Sequence, residues 1–304
     1  MPAPTPPQPP RVVLALDIGG TAIKSALIDA CGHLTAFAET PSDGLEGAGP
    51  LLSRLTTLVS QYDGFDAIAV STAGQVDRRT GTIAYGNANI PGYAGTPLAA
   101  LLGKAGHHVT VLNDAEAAAL GELWYGAATG SADFLLLTFG TGIGGAVVLG
   151  GQLFTGAHGR AGELGHFVTH AGGEQCACGG YGCFERYAST LALTRTAQAL
   201  DPSLIDGRTI VARWEAGEAA ATKAVDAWVA EVGLGVASLV HLFDPEKVIL
   251  GGGIMASPHL TAAVRTAAEA ALMPHYRDVA ITPAQLGNQA ALYGAAYASN
   301  HPQA

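Results

Sequence analysis

The sequence predicts an α/β protein made of two related halves. Short apolar runs of strand character alternate with longer stretches of helical spacing, the mixture expected of an α/β fold. One pattern also occurs twice. Leu14 to Thr21 (LALDIGGT) and Leu135 to Gly142 (LLLTFGTG) each carry an apolar strand into a polar residue, then a Gly/Thr turn, then a second strand. The pairing reads as a distant internal duplication with one phosphate hairpin per half. Two ordinary hairpins are the plain alternative.

In order, Val12 to Asp17 is an apolar run ending in an acid, and Ala22 to Asp29 follows the turn. A third strand is expected over His33 to Thr40, after the turn at Cys31-Gly32. Leu51 to Val59 has helical apolar spacing. Phe65 to Ser71 reads as a buried strand running into the Thr72-Ala73-Gly74 loop. Asn87 to Gly92 is loop chemistry. His108 to Leu112 is a strand ending at Asn113-Asp114, and an Ala-rich helix from Ala115 to Tyr125 has Asp114 at its N-cap or first turn. Beyond the second hairpin, Arg186 to Leu200, Thr209 to Glu215 and Glu218 to Phe243 read as helices. Lys247 to Leu250 is a strand entering Gly251-Gly252-Gly253. Leu260 to Leu272 is a helix, Val279 to Thr282 a short strand, and Gln289 to Ser299 a final helix.

The 304 residues suit one large domain or two smaller ones, with 49% hydrophobic and only 13% charged residues to build a sizeable core. The net charge of −10 argues against a general nucleic-acid or anionic-membrane binder. An anionic cofactor can still bind through backbone N–H groups and Mg²⁺. Apolar runs such as Val12 to Leu16 are too short to span a bilayer. The stretch 1–11 is Pro-rich without an apolar core, so a disordered tail is expected rather than a signal peptide, and a cytoplasmic location with it. Cys176, Cys178 and Cys183 cluster while Cys31 is remote, which reads as a metal site before a disulfide.

Chemistry concentrates between Thr138 and Glu185. Gly140 to Gly145 (GTGIGG) matches the dinucleotide fingerprint formally, but that motif must open a helix, and Ala146-Val147-Val148-Leu149 reads as strand. A dehydrogenase is therefore the weak reading, and a hairpin whose N–H groups meet phosphate fits better. Asp17, before Gly19-Gly20-Thr21, could hold Mg²⁺ beside phosphate or merely cap its turn. Asp114 could accept a proton from a substrate hydroxyl or merely cap its helix. Glu163, His166 and Glu185 could gather around a polyol, since each ionised carboxylate accepts several O–H donors. The three cysteines need a fourth ligand for a closed tetrahedral zinc site, with His166 and His170 as candidates.

Together these stretches resemble the ROK family of sugar kinases and related repressors, within the actin-like ATPase superfamily. The matching segments are LDIGGTAIK from Leu16, LNDAEAAALGE from Leu112, LTFGTGIGG from Leu137, AGELGH from Ala161, CxCGxxGCxE from Cys176 and VILGGGI from Val248. The resemblance implies a two-lobed actin-like ATPase (ribonuclease H-like) fold with a sugar and ATP cleft between lobes. The lobes would be 12–115, joined by a C-terminal helix at about 288–301, and 116–287 with a zinc-binding loop. Asp114 would be the catalytic base. Asn89, Asn113, Glu163, His166 and Glu185 would contact the sugar. Asp17, Gly19, Gly20, Thr21, Thr138, Gly140, Thr141, Gly252 and Gly253 would serve the nucleotide and its Mg²⁺. His166 would complete the zinc set with Cys176, Cys178 and Cys183. Ala22 stands where a lysine is frequent in the family, with Lys24 nearby, and Pro91-Gly92-Tyr93 stands where glucokinase-like members often carry Trp.

The implied activity is ATP-dependent phosphorylation of a hydroxyl, O6, on a glucose-like hexose, most simply by a glucokinase. An N-acetylmannosamine or N-acetylglucosamine kinase is the alternative within the family. A non-catalytic sugar-sensing regulator is the alternative from another class, but no helix-turn-helix is expected in the Pro-rich stretch before Val12. Sugar and nucleotide are the expected partners, without nucleic acid or membrane, in a homo-oligomer (dimer or tetramer).

Overall fold

The computed structural model describes residues 12–86 and 89–301; the Pro-rich stretch 1–11, and Asn87 and Ala88 of the expected loop, lie outside the described residues. The chain forms two units. The first holds described residues from 12 to 125 with Gly156–Arg160 and the C-terminal segment from Asn288; the second holds Gly126–Thr155 and Ala161–Gly287.

The first unit is built on β1 (Val12–Ile18), β2 (Ala22–Asp29), β3 (Leu34–Pro41), α1 (Ala48–Val59), β4 (Ala67–Thr72), the β5–β6 hairpin (Gln75–Asp77, Thr82–Tyr85), α2 (Leu98–Leu102), β7 (His108–Asn113) and α3 (Asp114–Tyr125). Its sheet has the order β3-β2-β1-β4-β7. β1 is antiparallel to β2 and parallel to β4, which is parallel to β7. The register aligns Asp17 with Ser71 and Thr72 with Asn113, so the carboxyl ends of three parallel strands share one edge. Ligands of open α/β sheets bind at such edges.

The second unit holds β8 (Phe134–Phe139), β9 (Ile143–Leu149), β10 (Gln152–Leu153), α4 (Glu185–Ala188), α5 (Thr190–Leu200), α6 (Gly207–Glu215), α7 (Ala219–Phe243), β11 (Lys247–Gly251), α8 (Pro258–Ala271) and β12 (Ala280–Pro283). Its order is β10-β9-β8-β11-β12, with β8 antiparallel to β9 and parallel to β11, which is parallel to β12. The two five-stranded sheets therefore share one topology, a meander followed by parallel strands.

The final helix, α9 (Ala290–Asn300), returns to the first unit. β1 is covered on both faces: Leu14, Leu16 and Ile18 pack with Leu51, Leu55 and Leu58 of α1, while Val13 and Ala15 pack with Leu292, Ala295 and Ala296 of α9. That is period-two alternation with neither face left to water, as parallel strands require. In the second unit, α7 buries twelve of its residues, including Val225, Trp228, Val232 and Val236, against β8, β11 and α8. It is long and apolar enough to cross a membrane, but 56% of its most apolar window is buried in the protein, so it is the core helix here.

Several expectations shift. The division expected after residue 115 falls after Tyr125 instead, because α3 packs on α9. A side chain at Gly121 would collide with the Ala290 carbonyl and one at Gly294 with the Ala117 carbonyl, so the backbones meet directly and hold α3 to the first unit. The helix expected over Arg186 to Leu200 is two helices. Ser189 is extended between them, and its side chain accepts from Ala192 N as the N-cap of α5. The α1 helix begins at Ala48, with Pro50 in its first turn, where a missing N–H costs nothing. The α6 helix begins at Gly207 because Asp206 caps it through Thr209 N. The β5–β6 hairpin, α2 and β10 were too short to stand out by periodicity.

Candidate active site

In the first unit, Asp17 is the next-to-last residue of β1, beside the Gly19-Gly20-Thr21 turn. Its Oδ1 accepts from Ser71 Oγ at 2.9 Å and its Oδ2 meets Lys24 Nζ at 3.3 Å. Both partners follow from register: Ser71 is its neighbour on β4, and Lys24 faces it across the hairpin. Each carboxylate oxygen can accept more than one donor, so a water shell of Mg²⁺ can still be met there. The turn is closed by Gly19 N donating to Ala22 O at 2.9 Å, and Thr21 is exposed. Asn89 is exposed beside it; a Cβ on Gly20 would lie 3.2 Å from Asn89 O. Tyr93 of the Pro91-Gly92-Tyr93 loop turns inward, 1% exposed, and its hydroxyl bonds Thr72 Oγ1 at 2.9 Å. Burial pushes its pKa up to about 12, so it acts as a neutral core residue.

Asn113 and Asp114 divide the work of starting α3. Asn113 Oδ1 accepts from Ala115 N at 2.8 Å and Glu116 N at 3.3 Å, and its Nδ2 donates to Gly74 O at 3.0 Å. Asn113 is therefore the cap, and Asp114 is the first helical residue, with Oδ1 also accepting from Ala115 N at 2.8 Å. The Asp114 side chain keeps contact with solvent but lies among enough protein to lose hydration. That loss raises its pKa to about 6, the Asp17 charge adds to the rise, and the Ala115 N–H opposes it. Its pKa therefore lies close to neutral pH, which suits a general base.

In the second unit, Thr138 is the next-to-last residue of β8, and the exposed Gly140-Thr141 leads into β9. Thr138 pairs with Gly251 of β11, and Gly252-Gly253 follows. Gly252 has φ +103, and a Cβ there would collide with the Phe139 backbone, so only glycine fits. Nothing lies within 4 Å of a Cβ built on Gly140 or Gly253, which leaves both backbones open to a ligand.

The Ala161 to His166 loop lies directly on β9. A Cβ at Gly145 would strike Leu164, and one at Gly165 would strike Ile143 O, so both glycines permit the approach. The loop leaves Glu163 exposed and brings His166 to the cysteines. His166 Nδ1 is 3.7 Å from Cys176 Sγ, and Cys178 Sγ is 3.6 Å from Cys183 Sγ. All four ligand atoms lie within 4.8 Å of one another. With Zn–S near 2.3 Å, the edge of a zinc tetrahedron is about 3.8 Å, so the set is shaped for zinc and the sulfurs are too far apart for disulfides. His170 points elsewhere. It stacks on Tyr187 at 3.8 Å, and its Nε2 is 3.5 Å from Glu231 Oε1. Glu185 sits against the metal set rather than apart from it: Oε1 is 3.1 Å from Cys176 Sγ, and Oε2 accepts from Ile143 N at 3.3 Å.

The motifs did not single out Ser71 and left the role of Lys24 open, although hairpin symmetry about Gly19-Gly20 would have placed Lys24 opposite Asp17. The Ile143 amide was also missed; its partner lies 42 residues away, beyond any local signal.

The model of the ROK family matches residues 13–301. A glucokinase of Halalkalibacterium halodurans is 33% identical over 310 residues, covering 93% of each chain. Among solved structures, a ROK hexokinase from Thermus thermophilus is 36% identical with a TM-score of 0.83, covering 96% of this chain and 98% of that one. A ROK family glucokinase from Streptomyces griseus, solved with glucose and AMPPNP, is 31% identical with a TM-score of 0.82, covering 94% of this chain and 98% of that one. With two sheets of one topology, paired Gly/Thr hairpins and a Cys₃His set, this chain belongs to the ROK family.

Proposed function

We propose that the chain is an ATP-dependent sugar kinase, a glucokinase, which phosphorylates O6 of a glucose-like hexose. The observation that carries this reading is the state of Asp114. It stands at the carboxyl edge of three parallel strands, Asn113 takes over its capping duty, and its pKa is raised to about 6. A plain cap would need none of these.

Asp114 accepts the proton of the attacking hydroxyl. Asn89, Asn113, Glu163, His166 and Glu185 bind the sugar's other hydroxyls, Asn113 through whatever hydrogen-bonding capacity its Gly74 and helix contacts leave. Gly20, Thr21 and Thr141 offer N–H and hydroxyl donors to the phosphates and Thr138 its hydroxyl, Gly19 and Gly140 shape the two turns through their own hydrogen bonds, and Gly252 and Gly253 line the adenosine. Asp17 would hold Mg²⁺, directly or through water, and the bound ion would supply charge neutralisation at the phosphates. His166, Cys176, Cys178 and Cys183 would hold a structural zinc, which would fix the imidazole and the knuckle. Positioning supplies most of the catalysis in phosphoryl transfer, so these residues act chiefly by holding the reactants in line. On this reading the enzyme works in the cytoplasm as a homo-oligomer, a dimer or tetramer, with sugar and nucleotide as its partners rather than nucleic acid or membrane.

A coupled assay with ATP and Mg²⁺ across hexoses and N-acetylhexosamines tests the reading. Turnover greatest with glucose is the expected result. Preference for an N-acetylhexosamine would move the substrate assignment, and no phosphorylation of any sugar would refute the kinase.

A further inference from the structure

One short segment grips the Gly140–Gly142 turn at both ends. Gly140 O accepts from Thr190 N at 3.0 Å and Leu191 N at 3.4 Å, the first amides of α5. Past the turn, Ile143 N donates to Glu185 Oε2 at 3.3 Å. Both grips come from the stretch that starts at Cys183, a member of the metal set. That stretch is firmly seated. Phe184 is fully buried over Gly235 of α7, where any Cβ would strike its ring. Ser189 O accepts from Trp228 Nε1 at 3.0 Å, and the Trp228 ring meets Phe139 edge-on at 5.8 Å. The second oxygen of Glu185, 3.1 Å from Cys176 Sγ, also lies 4.0 Å from His166 Nδ1. One carboxylate thus touches the metal set and the turn together.

The glycine at 142 is explained by the same carboxylate. Its backbone does not need a positive φ, and a Cβ there would meet Glu185 Oε2 and Cδ and no other atom within 4 Å outside its chain neighbours.

We propose that Glu185 is a positioning residue for the nucleotide turn, and that the stretch from Cys183 to Thr190 makes nucleotide binding depend on the metal set. This rests on reading the turn as a phosphate site. The coupling is mechanical: Gly140 N donates within the turn and Ile143 N to Glu185, so the segment fixes where the Thr141 and Gly142 amides between its two grips point, and amide donors bind phosphate only when aimed at it.

Titration calorimetry with AMPPNP and Mg²⁺, without sugar, separates the possibilities. Wild-type protein should bind; if it does not, the kinase reading fails and this proposal falls with it. Glu185→Ala should weaken binding about tenfold, the scale of one hydrogen bond to a charged acceptor. Glu185→Gln should bind nearly as wild type, because an amide oxygen still accepts from Ile143 N. Gly142→Ala should keep its zinc by elemental analysis and match Glu185→Ala. The double variant should be no weaker than Glu185→Ala alone, since the obstructing carboxylate is gone. Wild type stripped of zinc, at a temperature where circular dichroism shows it folded, should bind like Glu185→Ala. Wild-type affinity in Glu185→Ala, additive losses in the double variant, or unchanged affinity without zinc would overturn the proposal.

Discussion

The two Gly/Thr turns are built on one plan and held by different means. In the first unit, the turn after Asp17 is braced by its own sheet: Ser71 and Lys24 bind the carboxylate from the adjacent strands. In the second unit, the corresponding polar residue is Thr138, which carries no charge to anchor. Its turn is held instead from outside the sheet, by the first amides of α5 and by Glu185 beside the metal set. Duplicated topology thus leaves local support free to diverge. The first turn is held by strand register, which persists while the sheet does. The second is held by the segment from Cys183 to Thr190, which runs from the knuckle of Gly and Cys residues into α5.

The largest expected effect belongs to the first unit alone. Asp114→Asn should lower kcat by about 10² to 10⁴, the usual loss for a general base, while sugar affinity and zinc content hold. Stability should move the other way. Because the folded pKa of Asp114 is raised from 3.8 to about 6, its stabilising contribution is full below 3.8 and is lost as pH rises through about 6. The variant should therefore melt with wild type in acid and above it near neutrality. A rate within a few fold of wild type would reduce Asp114 to the first residue of a helix.

The second effect falls on the other unit. Cys178→Ser should weaken zinc more than about 100-fold, since even outer partners of a metal site cost 10- to 100-fold. Hydrogen exchange should then rise at the amides of Gly140 to Ile143 and stay unchanged at Gly19 to Thr21. Equal rises in both turns would end the contrast drawn between them.

A smaller change tests what the second unit reads. Glu163→Gln keeps shape but exchanges one acceptor for a donor. The sugar KM should rise about tenfold, with the ATP KM much less affected. Equal rises in both would place Glu163 outside the sugar site.

Much of this was legible in the sequence because it is local. A strand, a Gly/Thr turn and a strand are adjacent in the chain, and the cysteine spacing is itself the geometry of a knuckle. The helix break at Ser189 was legible in principle: a serine followed by an apolar helical stretch is an N-cap signal, overridden by the length of the pattern around it. What stayed hidden were contacts between distant segments. The Gly121 and Gly294 pair that holds α3 to α9, and the Glu185 grip on Ile143, depend on packing that no local pattern encodes. The choice of Asn113 over Asp114 as cap is a one-residue matter, at the limit of what a boundary read from sequence can resolve.

The central claim is that Asp114 must be ionised to take the substrate's proton. The pH dependence of wild-type kcat/KM for glucose, at saturating ATP and Mg²⁺, measures this directly. The rate should climb with pH through a midpoint near the Asp114 pKa of about 6 and then level off, and the Asp114→Asn residual rate should lack that limb. A wild-type profile flat across that range, or the same limb surviving in Asp114→Asn, would contradict the assignment.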